Sequence, residues 1–163
     1  MPGEVTPRDL ENLRYNCGPL IMSALEDPEV IEIMCNPDGR LWVERYGHDQ
    51  ECIGDLSKAQ IKLILSLTAS ALEMTVDKYN PIIEGEFPLD GSRFEGVYPP
   101  LVGPYPAFDI RKLASKIITL PEYVANGEMS QNASDIIEAA VLDRKNIVVV
   151  GGTSSGKTTF VNA

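Results

Sequence analysis

Residues 7–26 carry Leu10, Leu13, Cys17, Leu20, Ile21, Ala24 and Leu25 at helical spacing, with Gly18-Pro19 predicting a kink and Asp27-Pro28 an end. Two alternating runs follow, Ile31 to Asn36 and Arg40 to Arg45, joined by Pro37-Asp38-Gly39, and they predict a β-hairpin. Ser57 and Gln60 form a capping-box signature ahead of Ile61, Leu63, Ile64, Leu65, Leu67, Ala71, Leu72 and Met74. A helix this apolar all round is predicted to be the central core helix. Three more strands are expected at 82–87, 92–98 and 107–112, with Leu89-Asp90-Gly91 turning between the first two. The segment 99–106 holds four prolines and is excluded from any central strand. From 113 to 132 Pro121, Gly127 and polar residues interrupt one short apolar helix, the character of a connection. A last amphipathic helix sets Ala133, Ile136, Ile137, Ala140 and Val141 on one face and leads through Asp143-Arg144-Lys145 to Asn146-Ile147-Val148-Val149-Val150. That β-branched run reads as a buried parallel strand.

The run feeds Gly151-Gly152-Thr153-Ser154-Ser155-Gly156-Lys157-Thr158-Thr159. The spacing G-x-x-x-x-G-K-[ST] is met by Gly151, Gly156, Lys157 and Thr158, in the order strand, loop, helix start that a phosphate-binding loop requires. Glycines let the backbone turn its N–H groups inward on phosphate oxygens, and the helix beginning near Lys157 adds its positive end. The Lys157 ammonium is placed for the β- and γ-phosphates, where it would also stabilise the transition state, and the Thr158 hydroxyl for Mg²⁺. A Gly-rich turn with no ligand is the plainer alternative, which the strand and helix context disfavours. Only five residues follow Thr158. A nucleotide-binding parallel sheet needs further strands reached by long crossovers, so the chain reads as the front part of a larger ATPase.

Composition narrows the partners. Fourteen basic against 24 acidic residues give a formal charge of −10, which disfavours a broad nucleic-acid or anionic-membrane surface, and no sequence-specific nucleic-acid contact is expected. No basic-then-apolar leader or span-length apolar stretch is present, and a cytoplasmic location is expected. Cys17, Cys35 and Cys52 lack a Cys-x-x-Cys pair, so buried free thiols are expected rather than disulfides or zinc. The single histidine, His48, sits beside Tyr46-Gly47 and is expected on an exposed loop.

Several stretches together resemble the secretion and traffic ATPases, and most closely the conjugative-transfer ATPases of the TrbB kind from type IV secretion systems. They are Ile31 to Met34 with Asn36 to Arg45, Asp90-Gly91-Ser92-Arg93-Phe94 with Pro99-Pro100, Phe108-Asp109-Ile110-Arg111-Lys112, Leu120 to Tyr123, and 146–163. The resemblance implies an α/β fold: an N-terminal α+β domain at 1–112 with a mostly antiparallel sheet packed by helices, then a linker at 113–132. The start of a RecA-like nucleotide-binding domain at 133–163 would follow, incomplete here. It implies a homo-hexameric ring, cytoplasmic but held peripherally at the inner membrane, that works with other secretion components to power pilus assembly or substrate transfer. It also implies ATP and Mg²⁺ as cofactors, with ATP lying between the two domains. Two N-domain arginines of that family reach the phosphates, and the positions here that match are Arg93 and Arg111. A guanidinium fork suits phosphate oxygens and stays charged at any working pH. As exposed strand charges, the same two residues would have no such role. Where the family usually has glycine this chain has Ser154, and a non-glycine residue at positive φ costs roughly 1–2 kcal/mol.

Two further readings stand beside the ATPase. A non-enzymatic docking or assembly module would use the N-domain and the apolar edge at Val148 to meet neighbours. A different phosphate-loop enzyme, such as a kinase, fits poorly with so long a leading domain. The 163 residues alone are expected to show no turnover, since no residue in them is an obvious partner for the metal or the attacking water.

Overall fold

The computed structural model describes residues 6–113, 118–152 and 155–163. Its contacts divide the chain into two units, Met1–Leu113 and Ala114–Ala163.

In the first unit the helix α1 (Pro7–Glu26) opens on Thr6, whose hydroxyl accepts from the Asp9 N–H while the Asp9 carboxylate accepts from the Thr6 N–H at 3.0 Å. Its kink falls at Gly18, with φ 70° and ψ 179°, next to Pro19. The strands β1 (Val30–Cys35) and β2 (Arg40–Arg45) form the expected hairpin, and β4 (Ile82–Glu86), β5 (Arg93–Val97) and β6 (Ala107–Arg111) lie within the three later runs. One strand was not foreseen, β3 (Glu51–Asp55), because its residues do not alternate and it carries a bulge against β2 together with Gly54 at φ 151°. The sheet runs β3-β2-β1-β6-β5-β4, antiparallel at every pairing, so two consecutive three-strand meanders are joined by the hydrogen bonding of β1 to β6.

Strict alternation gives this sheet one apolar face. Ile33, Leu41, Val43, Ile83, Phe94, Phe108 and Ile110 are buried there, and Phe94 stacks on both Phe87 and Phe108 with centroids 5.4 and 6.0 Å apart. The helix α2 (Lys58–Ala71) covers that face, contributing Ile61, Ile64, Leu65 and Ala69 to the same core, while Leu63 faces solvent. Leu65 packs so tightly on β5 that a Cβ at Gly96 would lie 2.3 Å from its Cδ2. Ser57 caps α2 as expected by accepting from the Gln60 N–H at 3.2 Å, but Gln60 does not close the capping box. Its side-chain amide donates instead to the Asn16 carbonyl at 2.9 Å, beside the α1 kink.

Cys17 and Cys35 are buried, and burial pushes both thiols up to about 12. Cys52 corrects the expectation of three buried thiols. It lies on the edge strand β3 and is exposed. His48 lies exposed in the turn after β2.

The second unit holds α3 (Leu120–Ala125), α4 (Gln131–Leu142) and α5 (Lys157–Val161). Ser130 caps α4, whose first residue, Gln131, lies two positions ahead of the expected start at Ala133, and Tyr123 meets Phe160 edge-on with centroids 5.5 Å apart. The segment 146–150 is not a strand, contrary to its reading as a buried parallel one. Val148 and Val150 are 82% and 85% exposed. A strand exists only through ladder partners, and no described residue pairs with this run. Ile147 and Val149 instead line an apolar groove of about 760 Å³ with Leu120, Ile137, Val141 and Phe160. No helix among the described residues is long and apolar enough to cross a membrane.

Candidate phosphate-binding site

In the second unit the helix α5 begins at Lys157, directly after Gly156 at φ 76° and ψ 15°, the left-handed region that favours glycine. Gly151 lies against the other end of the loop: a Cβ there would stand 2.5 Å from the Ser155 hydroxyl, which would have to turn away, and 3.5 Å from Lys157 Cγ. Lys157 folds back and donates to the Gly152 carbonyl, which satisfies one of its protons. Thr158 is exposed and Thr159 partly so. Thr153 and Ser154 lie outside the described residues, and with them the question of backbone strain at Ser154. Gly151, Gly152, Ser155, Gly156, Lys157, Thr158 and Thr159 therefore lie together at the start of one helix, with an ammonium, a hydroxyl and first-turn N–H groups. This donor set fits a phosphate chain, and the Thr158 hydroxyl is a chemically suitable ligand for Mg²⁺. Among the described residues no cluster of three or more His, Cys, Asp or Glu side chains could hold a metal ion.

In the first unit Arg93 and Arg111 are direct cross-strand partners, both exposed on the sheet face opposite the core. Sequence alone places them eighteen residues apart. Like charges facing each other across a ladder are unfavourable, and neither guanidinium forms an ion pair among the described residues. The pair is two forks with unused donors, the arrangement that a shared anion would relieve.

Two neighbours of that pair were not singled out from the sequence. Lys112 points the other way, and its ammonium donates to the Asp27 carbonyl at 2.6 Å and the Ala24 carbonyl at 3.3 Å, pinning the end of β6 to the C-terminus of α1. Burial lowers its pKa, opposed by Asp27 and Asp90. Asp109, two residues before Arg111, has its pKa pushed up to about 7 by burial, then by Glu32 and Glu95, with Arg111 opposing. Alternation in 107–111 was the available signal, since it sets Asp109 and Arg111 on one face.

The structure superposes on the crystal structure of the VirB11 ATPase from the Brucella suis type IV secretion system, in complex with sulphate, with a TM-score of 0.63. The match covers 94% of this chain and 52% of that one, and at 24% identity the likeness is one of fold. No family model matches the chain. By sequence it is similar to conjugal transfer proteins named TrbB. It is 44% identical over 157 residues, 96% of its length, to a probable conjugal transfer protein TrbB of Sinorhizobium fredii, and equally to the conjugal transfer protein TrbB of Rhizobium radiobacter. It spans about half of each relative, 48% in both cases.

Proposed function

We propose that this chain is the nucleotide-gripping part of an ATPase that drives conjugative transfer or type IV secretion. One observation carries the reading: in a chain similar to the TrbB proteins, Gly151 and Gly156 shape a loop that sets the Lys157 ammonium and Thr158 hydroxyl at a helix start. On this reading Lys157 exchanges the Gly152 carbonyl for the β- and γ-phosphates of ATP, and Thr158 ligates Mg²⁺. Arg93 and Arg111 supply further positive charge to the phosphates, each as a bidentate fork. The working form is a homo-hexamer in the cytoplasm, resting on inner-membrane components of the secretion apparatus. On this reading the 163 residues by themselves do not turn ATP over.

Titrating Mg-ATP into the protein and into Lys157→Ala tests this. The substitution should weaken binding about 10- to 100-fold, the worth of a charge-assisted hydrogen bond or two to phosphate. Equal affinities, or no binding by either, would remove the basis of the proposal. A docking module is the second reading, and the exposure of Val148, Val150 and Ile136 favours it.

A further inference from the structure

The face of the sheet that bears Arg93 and Arg111 is a lattice of charges, and the ladder register fixes who neighbours whom. One row runs Glu44, Glu32, Arg111, Arg93, Glu86 from β2 to β4. The next runs Trp42, Met34, Asp109, Glu95, Glu84 over the same strands. Strands stand about 4.8 Å apart and alternate residues about 6.6 Å, so each member lies within reach of its row and diagonal neighbours. Asp109 is thus met by Glu32 and Met34 from β1, by Glu95 and Arg93 from β5, and by Arg111 on its own strand. Glu44 and Glu84 lie one strand further out on either side.

Asp109 is half-buried, with Glu95 directly across the ladder and Glu32 diagonal to it. Burial and two like-charged neighbours favour a proton on its carboxyl. No donor reaches the buried Oδ1 of Asp109 among the described residues, which leaves its charge without compensation if the proton goes. With the proton in place, Glu32 and Glu95 offset the two guanidiniums and the lattice centre is neutral. Without it, three carboxylates surround two arginines.

We infer that Asp109 is a proton-linked positioning residue for the arginine pair: the proton on its carboxyl leaves Arg111 free for a phosphate oxygen, and its loss to solvent draws Arg111 back onto Asp109. The inference rests on the phosphate-gripping reading of Arg93 and Arg111 and adds to it a control by pH. The raised pKa of Asp109 sets the transition near neutrality. Below it phosphate is held better; above it the carboxylate both competes for Arg111 and repels the ligand.

The measurement is Mg-ATP affinity from pH 6 to 8 in the wild-type protein, Asp109→Asn and Glu32→Gln, with folding of each variant checked by circular dichroism. The wild-type to Asp109→Asn ratio of dissociation constants cancels the titration of ATP itself. It should be near one at pH 6 and rise to about five- to tenfold by pH 8, the scale of one charge some 7 Å away in a partly solvated site. Binding by both proteins with a flat ratio would overturn the inference and leave the nucleotide reading standing. No binding by any of them would overturn both. A carbon-13 titration of the Asp109 carboxyl supplies a readout independent of ligand: an inflection near neutrality that falls in Glu32→Gln supports the proton on Asp109, and one near 4 in the wild type refutes it.

Discussion

At Gly39 the backbone sits at φ 88° in the hairpin turn, and a Cβ there would lie 2.9 Å from the Leu56 carbonyl oxygen. That oxygen belongs to the backbone, and the Leu56 N–H already donates to the Gly39 carbonyl at 2.8 Å, so neither side can yield cheaply. Gly39→Ala should therefore cost about 2 kcal/mol or more in urea unfolding, combining left-handed strain with the clash. Asp109 gives a second prediction at this scale. Its folded pKa of about 7 lies above its ordinary 3.8, so across that window the folded state keeps a proton that the unfolded chain releases. The stability it confers is fully present below 3.8 and is lost as pH rises through about 7. Asp109→Asn has no such proton to lose. Urea midpoints from pH 4 to 8 should show the wild type falling relative to the variant across that range and running parallel to it above. The lowered pKa of Asp27, through the Glu29 N–H first and Arg45 second, carries the opposite sign and acts only in acid.

Among the elements, α1 and α2 show how a local signal yields to tertiary demand. Ser57 and Gln60 spell a capping box, and half of it forms. The other half is given up because the Gln60 amide reaches instead to the Asn16 carbonyl, beside the α1 kink, across 44 residues of sequence. Gln60→Leu keeps the size and removes the donor of this part-buried hydrogen bond, at a cost of about 1–3 kcal/mol in thermal or urea unfolding. Gln60→Leu measuring the same as the wild type would contradict this account. The hairpin β1-β2, the turn at Leu89-Asp90-Gly91 and the helical runs were legible because their periods of 2.0 and 3.6 are written in apolar spacing. The strand β3 was not legible. Half-exposed at a sheet edge, it needs no alternating apolar residues, and only its pairing with β2 makes it a strand.

For the molecule as a whole, the apolar run 147–150 and the groove beside it leave Val148, Val150 and Ile136 open to solvent. Surface of this kind is covered by whatever apolar partner is at hand, and backbone without a ladder adds unsatisfied donors and acceptors. Light scattering across a concentration series should show the 163-residue chain self-associating, and Val148→Asp should shift that association to higher concentration. A chain that stays monomeric throughout would remove the support for docking through this segment. Its formal charge of −10 opposes association at low salt, so added salt should strengthen it.

The sequence by itself determined the helices, the first hairpin, the turn glycines and the presence of a glycine loop ahead of Lys157, because each depends on residues within a few positions of one another. Tertiary structure alone decided the β1 to β6 pairing that joins the two meanders, and with it the meeting of Arg93 with Arg111 and of Asp109 with Glu32. Ladder register is a property of strands brought together through space, and no local pattern in either strand specifies its partner. The same physics explains 146–150: its residues favour a strand, but a strand is made by neighbours, and among the described residues it has none.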